Sequence, residues 1–232
     1  MEAIILAGGR GTRLTEVVSD VAKPMAPVNG RPFLCYLFHW LKIYPVEKVI
    51  LSTGYLSESI TDYFGTSFCG IPIEYAIEKN PLGTGGAIKY ALRKTKDSNI
   101  LIINGDTYFP ININSFYSFH IDNNYQFSIA LKQMQNFSRY GSVVYQDNSI
   151  LKFNEKKFCK EGLINGGIYM INKRYINSKQ VPEAFSLEKQ IMEKEAGSGI
   201  LKGKIFDDVF IDIGIPEDYN QSQSLLTPPK EK

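Results

Sequence analysis

The chain has 232 residues, 44% of them apolar, and a formal net charge of only +2, enough for one large α/β domain around a continuous core. Acidic and basic residues are interspersed, without the basic stripe of a nucleic-acid binder, so an anionic ligand has to be gripped locally by a few groups. No apolar run approaches the ~20 residues that span a bilayer, and the opening Met1-Glu-Ala-Ile-Ile-Leu-Ala-Gly-Gly9 suits no signal peptide. The expectation is a soluble, cytoplasmic protein with neither a membrane nor a nucleic acid as partner.

Ala3–Leu6 is a short apolar run ending in glycines, as a buried parallel strand would be. A long glycine- and charge-bearing loop follows. Residues 32–43 have helical spacing, with Pro32 suited to the first turn. Lys48–Thr53 reads as a strand, Ser57–Phe64 as a helix and Pro72–Ile77 as a strand. Gly85–Lys94 reads as a helix, and Asn99–Asn104 as a strand running into Gly105-Asp106. Strands alternating with helices predict a sheet covered on both faces.

The second half changes character. Phe127–Leu131, Ser142–Tyr145, Ile150–Phe153 and Leu163–Ile171 are strand-like runs close together, as in an antiparallel or mixed extension. Ser186–Lys194 is the clearest late helix, with Ser186 as its N-cap. Residues 227–232 read as a frayed tail after a single domain spanning 1–226. Phe116, Tyr117, Phe119 and Tyr125 could cover either the core or a second copy in a homo-oligomer. No internal repeat is visible. The expected fold is a Rossmann-like mixed, mainly parallel sheet flanked by helices.

Ligands of open α/β sheets bind at the carboxyl ends of the strands, which draws attention to the loop after the first one. Three glycines there allow backbone amides to nest phosphate oxygens, and Arg13 and Lys23 add fixed positive charge. No P-loop string occurs, and Leu14 stands where a dinucleotide fingerprint needs its third glycine. Asp106 and Asp212 each follow an apolar run, so both carboxylates can emerge at one sheet edge and offer Mg²⁺ hard oxygens. Either could instead be a cap or turn residue. Asp207-Asp208 reads as a solvated loop, and Glu16 and Asp20 as exposed parts of the glycine-rich loop.

The histidines and cysteines point elsewhere. His39 and His120 have no neighbouring nucleophile and read as structural. Cys35, Cys69 and Cys159 are odd in number and far apart, fitting neither a disulfide framework nor a metal site.

Ala7-Gly-Gly-Arg-Gly-Thr-Arg-Leu14 followed by Lys23-Pro24 resembles the signature of the sugar-1-phosphate nucleotidylyltransferases. The resemblance recurs in order at Glu78–Ala87, Gly105-Asp106, Glu155-Lys156, Asn165–Gly167 and Asp212–Asp218. Within that family, Lys23-Pro-Met-Ala-Pro27 and Pro81-Leu-Gly-Thr-Gly-Gly-Ala87 look most like the D-glycero-α-D-manno-heptose 1-phosphate guanylyltransferases. The resemblance implies transfer of GMP from GTP to a sugar 1-phosphate with release of pyrophosphate. It leaves mannose 1-phosphate, dTTP and UTP as alternative substrates.

It also implies residue roles. Arg13, Lys23 and Asp106 would be catalytic, and Asp106 and Asp212 would hold Mg²⁺. Nucleotide contacts fall on Leu6, Ala7, Gly8, Gly9, Gly11, Thr12, Glu78, Leu82, Gly83, Thr84 and Gly105, with the glycines of 83–86 letting backbone groups face a flat base. Gly141, Glu155, Lys156, Asn165 and Gly166 would hold the sugar phosphate. Two rivals remain. A metal-dependent glycosyltransferase would carry Asp-x-Asp where Tyr108 now stands third, and a non-catalytic nucleotide-sugar-binding homologue would be expected to lose the loop cations or the acids.

Overall fold

The computed structural model describes residues 1–9 and 21–228. Its first half runs β1 (Glu2–Leu6), a 3₁₀ turn (Lys23–Met25), the two-residue strands β2 (Pro27–Val28) and β3 (Arg31–Pro32), α1 (Phe33–Leu41), β4 (Lys48–Thr53) and α2 (Ser57–Phe64). There follow β5 (Ser67–Phe68), β6 (Ile71–Ile77), α3 (Gly83–Ala91), β7 (Asn99–Asn104), β8 (Thr107–Tyr108) and α4 (Ile113–Ile121). The second half comprises β9 (Phe127–Phe137), β10 (Gly141–Gln146), β11 (Ser149–Lys156), β12 (Cys159–Asn172) and α5 (Lys173–Ser178). A π-helical turn (Glu188–Met192) then leads into α6 (Glu193–Glu195), β13 (Leu201–Phe206), β14 (Ile211–Asp212) and α7 (Pro216–Leu225).

Most of the strands form one twisted sheet in the order β10-β11-β13-β9-β12-β7-β1-β4-β6-β5. β1 lies between β4 and β7 and is parallel to both; β4 is parallel to β6. Across β7 the character changes, because β12 pairs antiparallel with β7 on one side and β9 on the other. The sheet is therefore mixed: the parallel run β7-β1-β4-β6 lies in the first half, as the alternation of elements predicts. In the second half β13 adds one more parallel pair beside β9, and the remaining pairs are antiparallel.

Strand periodicity sorts the core. In β1, Ala3 and Ile5 join one buried cluster while Ile4 joins the other; in β7, Leu101 and Ile103 oppose Ile100 and Ile102 in the same way. Such strands have to be apolar throughout, because both faces are covered. Phe33, Leu34, Leu37 and Leu41 of α1 fill the first face, and Ile88, Ala91 and Ile176 of α3 and α5 the second.

Three segments depart from the sequence reading. The sequence reading assigns no element to residues 113–121; they form α4, capped by Asn112, whose Oδ1 accepts from Ser115 N at 2.9 Å, with Ile113, Phe116 and His120 buried at helical spacing. Phe116 is fully buried there, and Tyr117 and Phe119 pack on the same core, so these aromatics cover the interior. The late helix opens as a π-turn, although Ser186 does cap it, accepting from Lys189 N at 3.2 Å. At the C-terminus α7 docks on the turn between β2 and β3, where Asn29 Nδ2 donates to Leu226 O at 2.7 Å. Part of the expected tail, residues 229–232, lies outside the described residues.

Candidate active site

Because β1, β4, β6 and β7 are parallel, their carboxyl ends share one edge: Leu6 lies level with Ser52 and Asn104, and Thr53 with Ile77. The turns leaving these strands wall a cavity of about 520 Å³ lined by Leu6, Gly8, Gly9, Glu78, Gly83 and Thr84, among others. Glu78 is held at its side. Its Oε2 accepts from Leu82 N at 3.0 Å, and its Oε1 from Ser52 Oγ at 3.3 Å. Ala7 lies beneath the floor, donating its N–H to Ser52 O, and Gly105 is pressed so closely on β1 that an added Cβ would fall 2.5 Å from Leu6 O.

A larger cavity of about 1150 Å³ opens beside the first, with Gly141, Glu155, Lys156, Asn165, Tyr169 and Glu188 in its lining. It is built mainly by the long antiparallel strands and the π-turn. Asn104 and Asp106 border both spaces.

At that junction three charged groups converge. Short β8 pairs antiparallel with β14, setting Thr107 opposite Asp212, and Ile213 N donates to Asp106 O at 3.0 Å. This small ladder brings together acids 106 residues apart in sequence. Lys23, on its 3₁₀ turn, ion-pairs with Asp106 and lies 3.9 Å from Asp212. Asp212 also accepts from Gly214 N at 2.8 Å and from Tyr140 Oη at 3.3 Å. Burial and the neighbouring Asp106 carboxylate still hold its pKa above the ordinary aspartate value, with Lys23 opposing them.

Two carboxylates against one ammonium leave a net negative, partly buried oxygen site. Among the described residues no cluster of three or more potential metal ligands exists. A hard cation would therefore take two protein carboxylates here and complete its shell from phosphate and water, as Mg²⁺ commonly does. The donor set fits.

Residues 2–227 match the family model of the nucleotidyl transferases. The chain belongs to that family. A D-glycero-α-D-manno-heptose 1-phosphate guanylyltransferase from Aneurinibacillus thermoaerophilus is 48% identical, over 97% of this chain and 98% of that protein. Another, from Campylobacter jejuni, is 47% identical over 94% and 97% respectively. A crystal structure of HddC from Yersinia pseudotuberculosis complexed with GMP-PN superposes with a TM-score of 0.87 at 35% identity, covering 97% of this chain and 98% of that one. The mixed sheet flanked by helices is thus the nucleotide-diphospho-sugar transferase fold.

On this nucleotidyl transferase the expected residues divide. Leu6, Gly8, Gly9, Glu78, Gly83, Thr84 and Asp106 border the smaller cavity; Lys23, Asp106, Gly141, Glu155, Lys156, Asn165 and Asp212 border the larger. Gly11, Thr12 and Arg13, with Glu16 and Asp20, lie outside the described residues. Asp207 and Asp208 are exposed, as expected of a solvated loop.

Two glycine readings need correction. Gly83, Gly85 and Gly86 are small because residues 183–185 pack on them: an added Cβ would fall 2.6 Å from Phe185 O at Gly83, into the Phe185 ring at Gly85 and onto Glu183 O at Gly86. Gly166 likewise makes room for the Phe109 ring, 2.6 Å from an added Cβ, and stands behind the cavity wall while Gly167 borders it. The hydroxyl of Thr84 is turned to residues 187 and 188.

Sequence reasoning missed Asn104, Arg139 and Glu188. Asn104 had a signal, being the one polar residue to end an Ile-Leu-Ile-Ile run before Gly105-Asp106. Arg139 and Glu188 had none, since their positions depend on pairings between distant strands.

Proposed function

We propose that this nucleotidyl transferase joins GTP to D-glycero-α-D-manno-heptose 1-phosphate, giving the GDP-sugar and pyrophosphate. The observation that carries the reading is the meeting of two unlike cavities at Asp106, with Lys23 and Asp212 beside it. The nucleotide belongs in the smaller cavity and the sugar phosphate in the larger. The guanylyltransferase relatives supply the identity of both substrates.

Glu78 supports guanine on chemical grounds. Guanine carries adjacent N–H donors at N1 and N2, which one carboxylate can accept together. Uracil and thymine offer one N–H between two carbonyls, which a carboxylate would repel. A carboxylate has about four lone-pair sites, so the bonds from Leu82 and Ser52 leave capacity.

In the reaction an oxygen of the sugar phosphate attacks the α-phosphorus in line. A new P–O bond forms, the bond to the β-phosphate oxygen breaks, and its electron pair leaves with pyrophosphate. The nucleophile is already anionic, so no general base is needed; positioning and charge neutralisation remain. Lys23 draws the reacting phosphates together, Lys156 holds the sugar phosphate, and Arg13 with the glycine-loop amides stabilises the departing pyrophosphate. Mg²⁺, held by Asp106 and Asp212, supplies neutralisation of phosphate charge when bound.

One catalytic domain over residues 1–226, working in the cytoplasm to supply cell-surface polysaccharide assembly, completes the reading. A matrix of GTP, ATP, UTP and dTTP against heptose, mannose and glucose 1-phosphates, read by pyrophosphate release with Mg²⁺, tests it. GTP with the heptose phosphate should give the highest kcat/KM. No pyrophosphate from any pair would overturn it.

A further inference from the structure

One carboxylate ties the turn beside the base cavity to the wall of the sugar cavity. Glu188 opens the π-helical turn, a departure from α geometry that recurs at functional sites, and lines the larger cavity, as do Asn165 and Tyr169. Its Oε2 accepts from Thr84 Oγ1 at 2.7 Å and from Ser186 Oγ at 2.6 Å. Thr84 Oγ1 in turn accepts from Leu187 N at 2.9 Å. The backbone reinforces this clamp, since Gly85 N donates to Phe185 O at 3.0 Å and Phe185 N to Leu82 O at 2.8 Å.

One oxygen of Glu188 is therefore fixed by two hydroxyl donors. No described residue donates to the other, Oε1, and no described lysine or arginine ion-pairs with the group. A half-buried carboxylate with a spare oxygen on a cavity wall needs a donor from whatever enters. A phosphate would be repelled; a sugar hydroxyl supplies an O–H to an anionic acceptor. Lys156 and Arg139, elsewhere on the same wall, suit the phosphate end.

We propose that Glu188 is a specificity residue that accepts a hydroxyl of the acceptor sugar, and that Thr84 is a positioning residue acting through it. The turn that borders the nucleotide thus sets the aim of a group that reads the second substrate. This rests on placing the sugar phosphate in the larger cavity, as above.

The test is steady-state pyrophosphate release by the full chain, varying GTP and sugar phosphate separately. E188Q should raise KM for the sugar phosphate about 10- to 100-fold, the size expected for one hydrogen bond to a charged acceptor, with KM for GTP changed less than about twofold. T84V should raise the sugar-phosphate KM more than the GTP KM, and T84S should restore it; a merely structural role would move both constants together. Sugar 1-phosphates lacking one hydroxyl each give the second readout: one of them should be a poor substrate for the native protein yet equal to its parent with E188Q. Unchanged sugar-phosphate KM in E188Q, or equal rises in both constants in T84V and T84S, would overturn the inference. A native protein that turns over no sugar phosphate would instead sink the proposed function.

Discussion

The two cavities that meet at Asp106 are made in different ways. The smaller is walled by turns that leave four neighbouring parallel strands, each a few consecutive residues long. The larger is assembled from the middles of long antiparallel strands, a π-turn and the ladder between β8 and β14. A nucleotide is the common substrate of the family, so a contiguous, motif-like site suits it. The acceptor varies, and a wall built from scattered positions can change one residue at a time without disturbing the turns.

The sharpest break in that comparison comes from the groups at the junction of the two cavities. Asp106→Asn and Lys23→Ala should each lower turnover by about 10²–10³, the usual cost of one charge-assisted partner of a transferring phosphoryl group. Pyrophosphate release at saturating substrates and Mg²⁺ checks this, and near-native rates would show that the junction is not where the reaction happens. Arg13→Ala is expected to fall in the same range.

The next effect concerns how the two halves are held together. His120 is buried at the end of α4, with Nδ1 at 2.8 Å from Ser128 Oγ on β9 and Nε2 at 3.1 Å from Asn99 Oδ1 on β7. It bridges the antiparallel half to the parallel one. Because Asn99 Oδ1 is an acceptor, Nε2 carries the proton and Nδ1 accepts from Ser128, which is a neutral imidazole. Burial lowers its pKa from 6.5 to about 4.

The unfolded chain therefore binds the proton first as pH falls. The contribution of neutral His120 is intact above about pH 6.5 and is lost as pH falls through about 4, by roughly 3 kcal/mol in all. Urea denaturation between pH 7 and 4 should show this slope, and His120→Gln should flatten it. An unchanged slope in the variant would remove His120 as its cause.

A smaller effect should separate the cavities. Glu78→Gln should raise KM for GTP about tenfold, as expected for losing a charged acceptor, while KM for the sugar phosphate stays near native. A rise confined to the sugar phosphate would reverse the assignment of cavities.

Legibility followed the same division. The strands of the parallel half were readable almost to the residue, because burial on both faces demands unbroken apolar runs such as Ile100–Ile103. Asp106 was readable as an acid just past such a run, whereas Asp212 follows a partly exposed stretch, residues 209–211, and meets Asp106 only through the ladder between β8 and β14. Glu188 was not readable, because it projects from a turn whose place depends on Phe185 packing against Gly83 and Gly85. Nor was the true reason for those glycines, since the sequence cannot distinguish room for a ligand from room for another part of the chain. Helix α4 was not read, although Ile113, Phe116 and His120 stand at helical spacing behind the Asn112 cap, because Asn114, Ser115 and Ser118 leave only a narrow apolar stripe.

The smallest expected change lies at Asp212 and runs opposite to its effect on activity. Burial and the Asp106 charge disfavour its ionised form in the folded protein, so at neutral pH the native state carries repulsion that the unfolded chain does not. Asp212→Asn removes it while leaving Lys23 paired with Asp106. The variant should therefore melt higher without ligand, by about 2–4 °C for each kcal/mol relieved in a domain of this size. A raised carboxyl pKa destabilises only where the unfolded chain is ionised, so the difference should vanish below about pH 3.5, where both forms are protonated. Adding Mg²⁺ with a non-hydrolysable GTP analogue should reverse the order, because ligand stabilises the folded protein in proportion to its affinity and the native site binds more tightly. A variant that melts lower than the native protein without ligand would mean that the Gly214 and Tyr140 bonds outweigh the repulsion. The residue would then be a structural anchor of β14 rather than a carboxylate waiting for a cation.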